Sequence, residues 1–239
     1  MNFRNIFVLL ALICLPGVIV PQINKDELYK TIQFLASKEL AGVEYNEILS
    51  PEHFSVIMNG KTIQYQLGPD YVYRGFTGAG KLTAPVVFCG YGIDQPELGY
   101  NVYAGVDVKN KIVMVFRYNP KWNLNGKTFL NGNPREKAIV GAKHGALGIL
   151  FVSFPNDLDT QKPIGSLING KGEQMINFPE IHVGLNVADI LFEGISHTLK
   201  ELQTLIDSTK KPFPLSLNNK VDLEVHTKYQ KDREVVIQI

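Results

Sequence analysis

The sequence predicts a mixed α/β domain in which strands dominate. Three observations point to it. Short alternating apolar and polar segments, punctuated by turns, fill residues 44–73. Three apolar runs follow, Val86-Val87-Phe88-Cys89, Lys111 to Arg117 and Leu147 to Val152, with a helix-like stretch from Arg135 to Gly145 before the last. A second helical pattern and renewed alternation close the chain. At 239 residues the chain suits one sizeable domain or two small ones.

Composition narrows the function classes. A hydrophobic content of 45% with 20% charged residues is that of a globular protein and argues against disorder. With 24 basic and 23 acidic residues the net charge is +1, so nothing marks nucleic acid or an anionic membrane as a partner.

The N-terminus reads as an export signal over residues 1–20. Arg4 provides the positive start, Ile6 to Leu15 is an unbroken apolar stretch, and Pro16-Gly17 breaks it. The stretch is shorter than the roughly 20 residues of a membrane span. The expected location is secreted or periplasmic, with no membrane partner unless the signal stays uncleaved. After cleavage only Cys89 remains, so no intrachain disulfide is expected, and its apolar neighbours make it a small core residue.

From Asn24 to Leu40 the pattern is an amphipathic helix, with Asn24 as cap and Leu28, Ile32 and Leu35 on one face. Phe54, Val56 and Met58 then alternate as a strand, and Asn59-Gly60 marks a hairpin before Ile63 and Tyr65. Gly75 to Lys81 reads as a flexible glycine-rich loop. Its glycine and lysine spacing matches a phosphate-binding loop, but Leu82 stands where a Ser or Thr must hold the metal, and a strand follows instead of a helix. Asn133-Pro134 with Glu136 starts a helix, and Ala138, Gly141, Ala142 and Ala146 let it pack closely on a sheet. Pro179 to Val183 is a short strand, Asn186 to Phe192 one or two helical turns. Ser196 opens a helix with Leu199, Leu202 and Ile206 on one face. Val221, Leu223 and Val225 alternate as a strand, and residues 234–239 read as another.

Candidate chemistry is sparse. His53, His144, His182, His197 and His226 show no zinc-ligand spacing, so no metal site is expected. His144 reads as structural near a helix end, and His182 as a satisfied core or edge residue. There is no nucleophile elbow, and Ser153 and Ser166 have no recognisable base partner, so no catalytic residue is assigned. Tyr100, Tyr103 and Trp122 fall in loop-like segments. They are the candidate surface residues for a peptide or protein ligand, although covering the edge of the sheet is the favoured reading.

The block Phe88-Cys89-Gly90-Tyr91-Gly92-Ile93, with Pro96 to Tyr100 and Tyr103 to Val113, resembles the protease-associated domain inserted in secreted zinc aminopeptidases of the aminopeptidase Y type. Ala138 to Val152, Pro179 to Val183 and Leu199 to Leu217 extend the likeness, and Leu35 to Gly42 is similar to the start of the peptidase domain. The resemblance implies a β-barrel-like or sandwich-like sheet flanked by helices. It divides the chain into a helical remnant of the peptidase domain at 21–43, the protease-associated domain at 44–225, and a strand at 226–239 leading toward a missing peptidase domain. The zinc ligands of that family would lie beyond Ile239, so zinc is expected only in that domain, supplied in cis or in trans. The implied function is a non-catalytic domain for substrate access or protein interaction. The alternative is the N-terminal part of an active zinc-dependent aminopeptidase whose catalytic domain lies beyond this chain.

Overall fold

A computed structural model describes residues 45–130, 132–158, 161–165 and 175–230. The signal, the helix at Asn24–Leu40, the strand at 234–239 and Ser166 lie outside the described residues. The protein is a mixed α/β domain. Among the described residues ten strands are β1 Tyr45–Met58, β2 Lys61–Gln64, β3 Tyr71–Tyr73, β4 Gly80–Phe88, β5 Asp94–Gln95, β6 Tyr100–Asn101, β7 Ile112–Phe116, β8 Gly148–Val152, β9 Glu180–Val183 and β10 Leu215–Gln230. The described residues also form the α-helices α1 Pro134–Lys143, α2 Leu185–Leu191 and α3 Leu199–Thr209.

Eight strands form one curled sheet in the order β2-β1-β10-β4-β7-β8-β9-β3, half a barrel with β2 and β3 at its edges. Its first half is antiparallel, while β4, β7, β8 and β9 run parallel and β3 closes the edge antiparallel to β9. The small β5–β6 hairpin stands apart, its turn made by Pro96–Leu98 and the left-handed Gly99.

Local chemistry explains the elements. Asn59 and Gly60 both adopt positive φ, 51° and 74°, as the tight hairpin joining β1 to β2 requires. α1 starts with a complete capping box: Asn133 accepts from the Glu136 N–H, and the Glu136 carboxylate accepts from the Asn133 N–H. Thr198 and Glu201 do the same for α3, which therefore starts after Thr198 rather than at Ser196. Every residue of β7, β8 and β9 is buried, which is what continuous apolar runs mean in a parallel sheet covered on both sides.

The two covers differ. On one face Phe88, Phe116, Leu150, Val152, Ile181 and Val183 pack with Leu191 of α2 and Leu202 and Ile206 of α3. On the other, Val87, Cys89, Val113, Val115, Ile149 and Phe151 pack with Ala138 of α1. Gly141 belongs to that second contact; a Cβ there would stand 3.1 Å from Val113 Cγ2. Gly92, in the Gly-Tyr-Gly turn after β4, has φ +65°, and a Cβ would meet Val115 Cγ1 at 3.0 Å, so a side chain there would be strained in conformation and crowded in space.

Three expectations change. The last strand begins at Leu215 instead of Val221 and runs through Gln230, so the boundary placed at residue 225 cuts a continuous strand. Asn219 hides its early part from a pattern search: it is a polar residue at a buried position, and its amide donates to the Ile190 carbonyl at the end of α2, 2.8 Å away. The loop before β4 is packed rather than flexible, with Phe76 and Thr77 buried and the Thr77 hydroxyl accepting from the Glu180 N–H at 2.9 Å. Lys81 lies on β4 with its ammonium 2.9 Å from Glu224, so the phosphate-loop geometry is absent there.

Candidate functional site

Strand pairing builds the site. Ile149 sits opposite Glu180 and Phe151 opposite His182 across β8 and β9, and Val72 of β3 lies on the other side of His182. Side chains alternate between the two faces of a strand. The face that begins apolar under α1, with Val113, Val115, Ile149 and Phe151, therefore turns polar further along. Arg117 follows β7, Ser153 follows β8, and Glu180 and His182 come from β9, while Arg74 leaves β3 with its N–H on the Glu180 carbonyl. All five are buried.

Ser153 and His182, 29 residues apart, meet here, with Oγ and Nε2 separated by 3.1 Å. This corrects the expectation that Ser153 lacks such a partner. The pair is nonetheless wired against nucleophilic catalysis. The Ile164 N–H donates to His182 Nδ1 over 3.0 Å, so Nδ1 carries no proton. The remaining proton sits on Nε2 and is donated to Ser153, whereas a general base must accept from its serine. Burial, reinforced by the charges of Arg117 and Arg74, pushes the imidazole pKa down to about 3, in keeping with this neutral tautomer. The relay runs one way, from Ile164 through His182 to Ser153.

The cationic groups are the other half of the site. Arg74 donates to the Ile164 carbonyl and Arg117 to the Gln161 side-chain oxygen. Burial draws both guanidinium pKa values down, and for Arg74 the neighbouring Arg117 adds to it, yet an arginine does not lose its proton in a protein. Among the described residues no carboxylate forms an ion pair with either. Glu180 acts on Arg74 and Arg135 through space, but burial is the larger effect and holds its carboxyl well above the usual range.

Lys137 of α1, wholly buried, donates from Nζ to the carbonyls of Tyr91 at 2.6 Å, Phe116 at 3.0 Å and Tyr118 at 2.7 Å. Burial lowers its pKa well below the usual value. A neutral amine has only two N–H groups for these three acceptors, so the geometry specifies the ammonium. Lys137 thus ties the chain after β4 to the chain after β7.

Beside Arg117 and Ser153 a cleft of about 280 Å³ opens to solvent, walled by Tyr118 and Phe154. It lies past the carboxyl ends of β7 and β8, where open parallel sheets receive ligands. Lys121 and Asp157 also line it, paired at 2.8 Å.

The sequence-derived candidates fall elsewhere. Tyr100 and Tyr103 are buried, at 1% and 5% exposure, and so are corrected from surface candidates to core residues. Tyr103 stacks on His144 at 4.3 Å, and His144 pairs with Asp94 at 2.8 Å. Trp122 is half-buried, packed with Tyr91, Tyr100 and Phe129, and its indole N–H donates to Asp207 at 2.8 Å. These aromatics fasten the loop after β7 onto α3, and of the three candidates only Trp122 keeps part of its surface exposed. His53 and His226 pair with Asp222 and Glu224. Among the described residues no group of three or more His, Cys, Asp or Glu side chains is placed to hold a metal ion.

No family model matches the chain, and no curated protein matches it. Solved structures do. An aminopeptidase from Aneurinibacillus sp. strain AM-1 aligns over 87% of this chain at 13% identity, with a TM-score of 0.44. The zinc aminopeptidase BSAP from Bacillus subtilis aligns over 85% at 15% identity and a TM-score of 0.37. The psychrophilic subtilisin-like protease Apa1 from Pseudoalteromonas sp. AS-11 aligns over 80% at 11% and 0.35. The chain spans 46%, 39% and 38% of those proteins' lengths.

Proposed function

We propose that the described domain is a non-catalytic protease-associated domain of an exported zinc aminopeptidase-like protein, shaping substrate access or mediating protein contacts. The observation that carries this reading is the pair of strands by which the chain enters and leaves. Tyr45–Leu49 of β1 pair antiparallel with His226–Gln230 of β10, with Tyr45 opposite Gln230. β4 joins β10 only up to Val225, and β2 joins β1 only from Ser55, so these ten residues form a two-stranded ribbon beyond the sheet. Directly opposed residues in such a ladder lie about 5 Å apart. A domain whose two ends leave side by side is built to interrupt another domain without distorting it.

The sequence resemblance supplies the host, a zinc aminopeptidase. In this reading zinc is held by that host. The donor-only wiring of Ser153 and His182 supports a domain without its own hydrolytic chemistry. The same ribbon fits the second reading, in which this chain is the N-terminal part of an active zinc-dependent aminopeptidase.

The test is hydrolysis of leucine p-nitroanilide by the purified full chain with and without added zinc. No hydrolysis is expected. Activity that tracks bound zinc overturns the non-catalytic reading. Sizing the native protein in its own extract separates the two readings, because the second requires an assembly much heavier than 26.7 kDa.

A further inference from the structure

Beyond its apolar contact with α1, the sheet face carrying Ser153 and His182 holds an imbalance that the described residues do not resolve. Arg117 is nine-tenths buried and permanently charged. Among the described residues its guanidinium meets the Gln161 side-chain oxygen and the Tyr118 ring, 4.7 Å from the guanidinium carbon. Buried charges are ordinarily paired, because desolvation without a counter-charge is costly. Next to it on β8, Ser153 accepts its hydrogen bond from His182, which leaves its own O–H to donate. Among the described residues no acceptor receives it. Both groups line the same open cleft. An unpaired guanidinium and the donating end of a one-way relay therefore face one space.

We propose that this cleft binds a carboxylate, held by Arg117 and the Ser153 hydroxyl and carried on a small apolar group, as at the C-terminal residue of a peptide. The charge count selects a monoanion: Lys121 is neutralised by Asp157, so among the described residues Arg117 alone carries uncompensated charge at the cleft. A planar carboxylate matches the guanidinium fork, whereas a phosphate dianion would remain half unpaired. The rings of Tyr118 and Phe154 supply the apolar walls, and the volume suits a single side chain with its carboxylate rather than a larger ligand. The assignment stands on the cleft's own chemistry and does not depend on the protease-associated reading.

The experiment is calorimetric titration of the purified full chain with N-acetyl-L-phenylalanine, its C-terminal amide, and inorganic phosphate. The acid is expected to bind at one site, with the amide and phosphate at least about tenfold weaker. Arg117→Met should weaken the acid about tenfold or more; Ser153→Ala should weaken it about threefold to tenfold and, by orphaning the buried Nε2–H of His182, also lower the melting temperature. If Arg117→Met fails to fold, Arg117→Lys replaces it. That variant keeps the charge but loses the fork, and should still weaken the acid severalfold. The proposal is overturned if the acid shows no saturation by about 10 mM, if the amide binds equally, if phosphate binds more tightly, or if the variants leave affinity unchanged.

Discussion

The two faces of β7, β8 and β9 are made from alternate residues of the same three strands, yet they obey different rules. One carries Phe116, Leu150, Val152, Ile181 and Val183 and is sealed by α2 and α3. The other begins apolar beneath α1 and then turns to Arg117, Ser153, Glu180 and His182, every one buried. On the first face, cohesion comes from area removed from water and tolerates rearrangement. On the second it comes from a few directional bonds, and each removed partner leaves a desolvated group behind. The polar face should therefore be more fragile to single changes and more sensitive to pH.

The sharpest break is Lys137→Met, which keeps length and burial but removes three donors. Orphaning the carbonyls of Tyr91, Phe116 and Tyr118 should cost about 4 kcal/mol or more by denaturant unfolding. Leu150→Ala on the apolar face, a cavity of ordinary kind, should cost about 3 kcal/mol in the same assay. If the alanine variant proves the less stable of the two, the contrast between the faces fails.

The pH dependence gives a finer test, because His182 and Glu180 pull in opposite directions. His182 is depressed from 6.5 to about 3, so its contribution is complete above 6.5 and is lost as pH falls toward 3. Glu180 is raised well above 4.5, so its contribution is complete below 4.5 and is lost as pH rises toward its folded value. Above 4.5, where the two ranges overlap, the slopes, each up to about 1.4 kcal/mol per pH unit, oppose one another in the native protein. His182→Gln should expose a stability that falls with pH across that window, and Glu180→Gln one that rises. Melting curves at several pH values decide it, and parallel profiles for the two variants refute the assignment. The smallest effect concerns Cys89, whose thiol pKa burial pushes far up. Peptide mapping after iodoacetamide should find it unmodified in the folded protein and alkylated once unfolded.

Much of the fold was legible because its signals are local. Asn59-Gly60, the Asn133 to Glu136 capping box and the unbroken apolar runs each act through neighbours within a few residues. Asn219 was not, since its fitness for a core position depends on helix carbonyls 29 residues earlier. The site was illegible for the same reason. Ser153 and His182 meet only through the β8–β9 register, and Lys137 reads as an ordinary helix residue until the two strand ends it ties are in view. A weak signal was present: Arg117 and Ser153 each follow directly on an apolar run, at the end of a parallel strand where ligands collect. The aromatics misled because loop context was taken for exposure, whereas Tyr100 and Tyr103 anchor their loops from inside.

The ribbon also has a mechanical meaning. A load that draws Tyr45 and Gln230 apart acts across the ladder, at right angles to its strands. The hydrogen bonds then bear it one rung at a time, as in a zipper, and not together, as in shear. The irregularity between Leu49 and His53 breaks the ladder just inside the ribbon. Peeling should therefore slacken the stalk before it reaches the β1–β10 pairing inside the sheet, and the cleft would survive a tug that opens its tether.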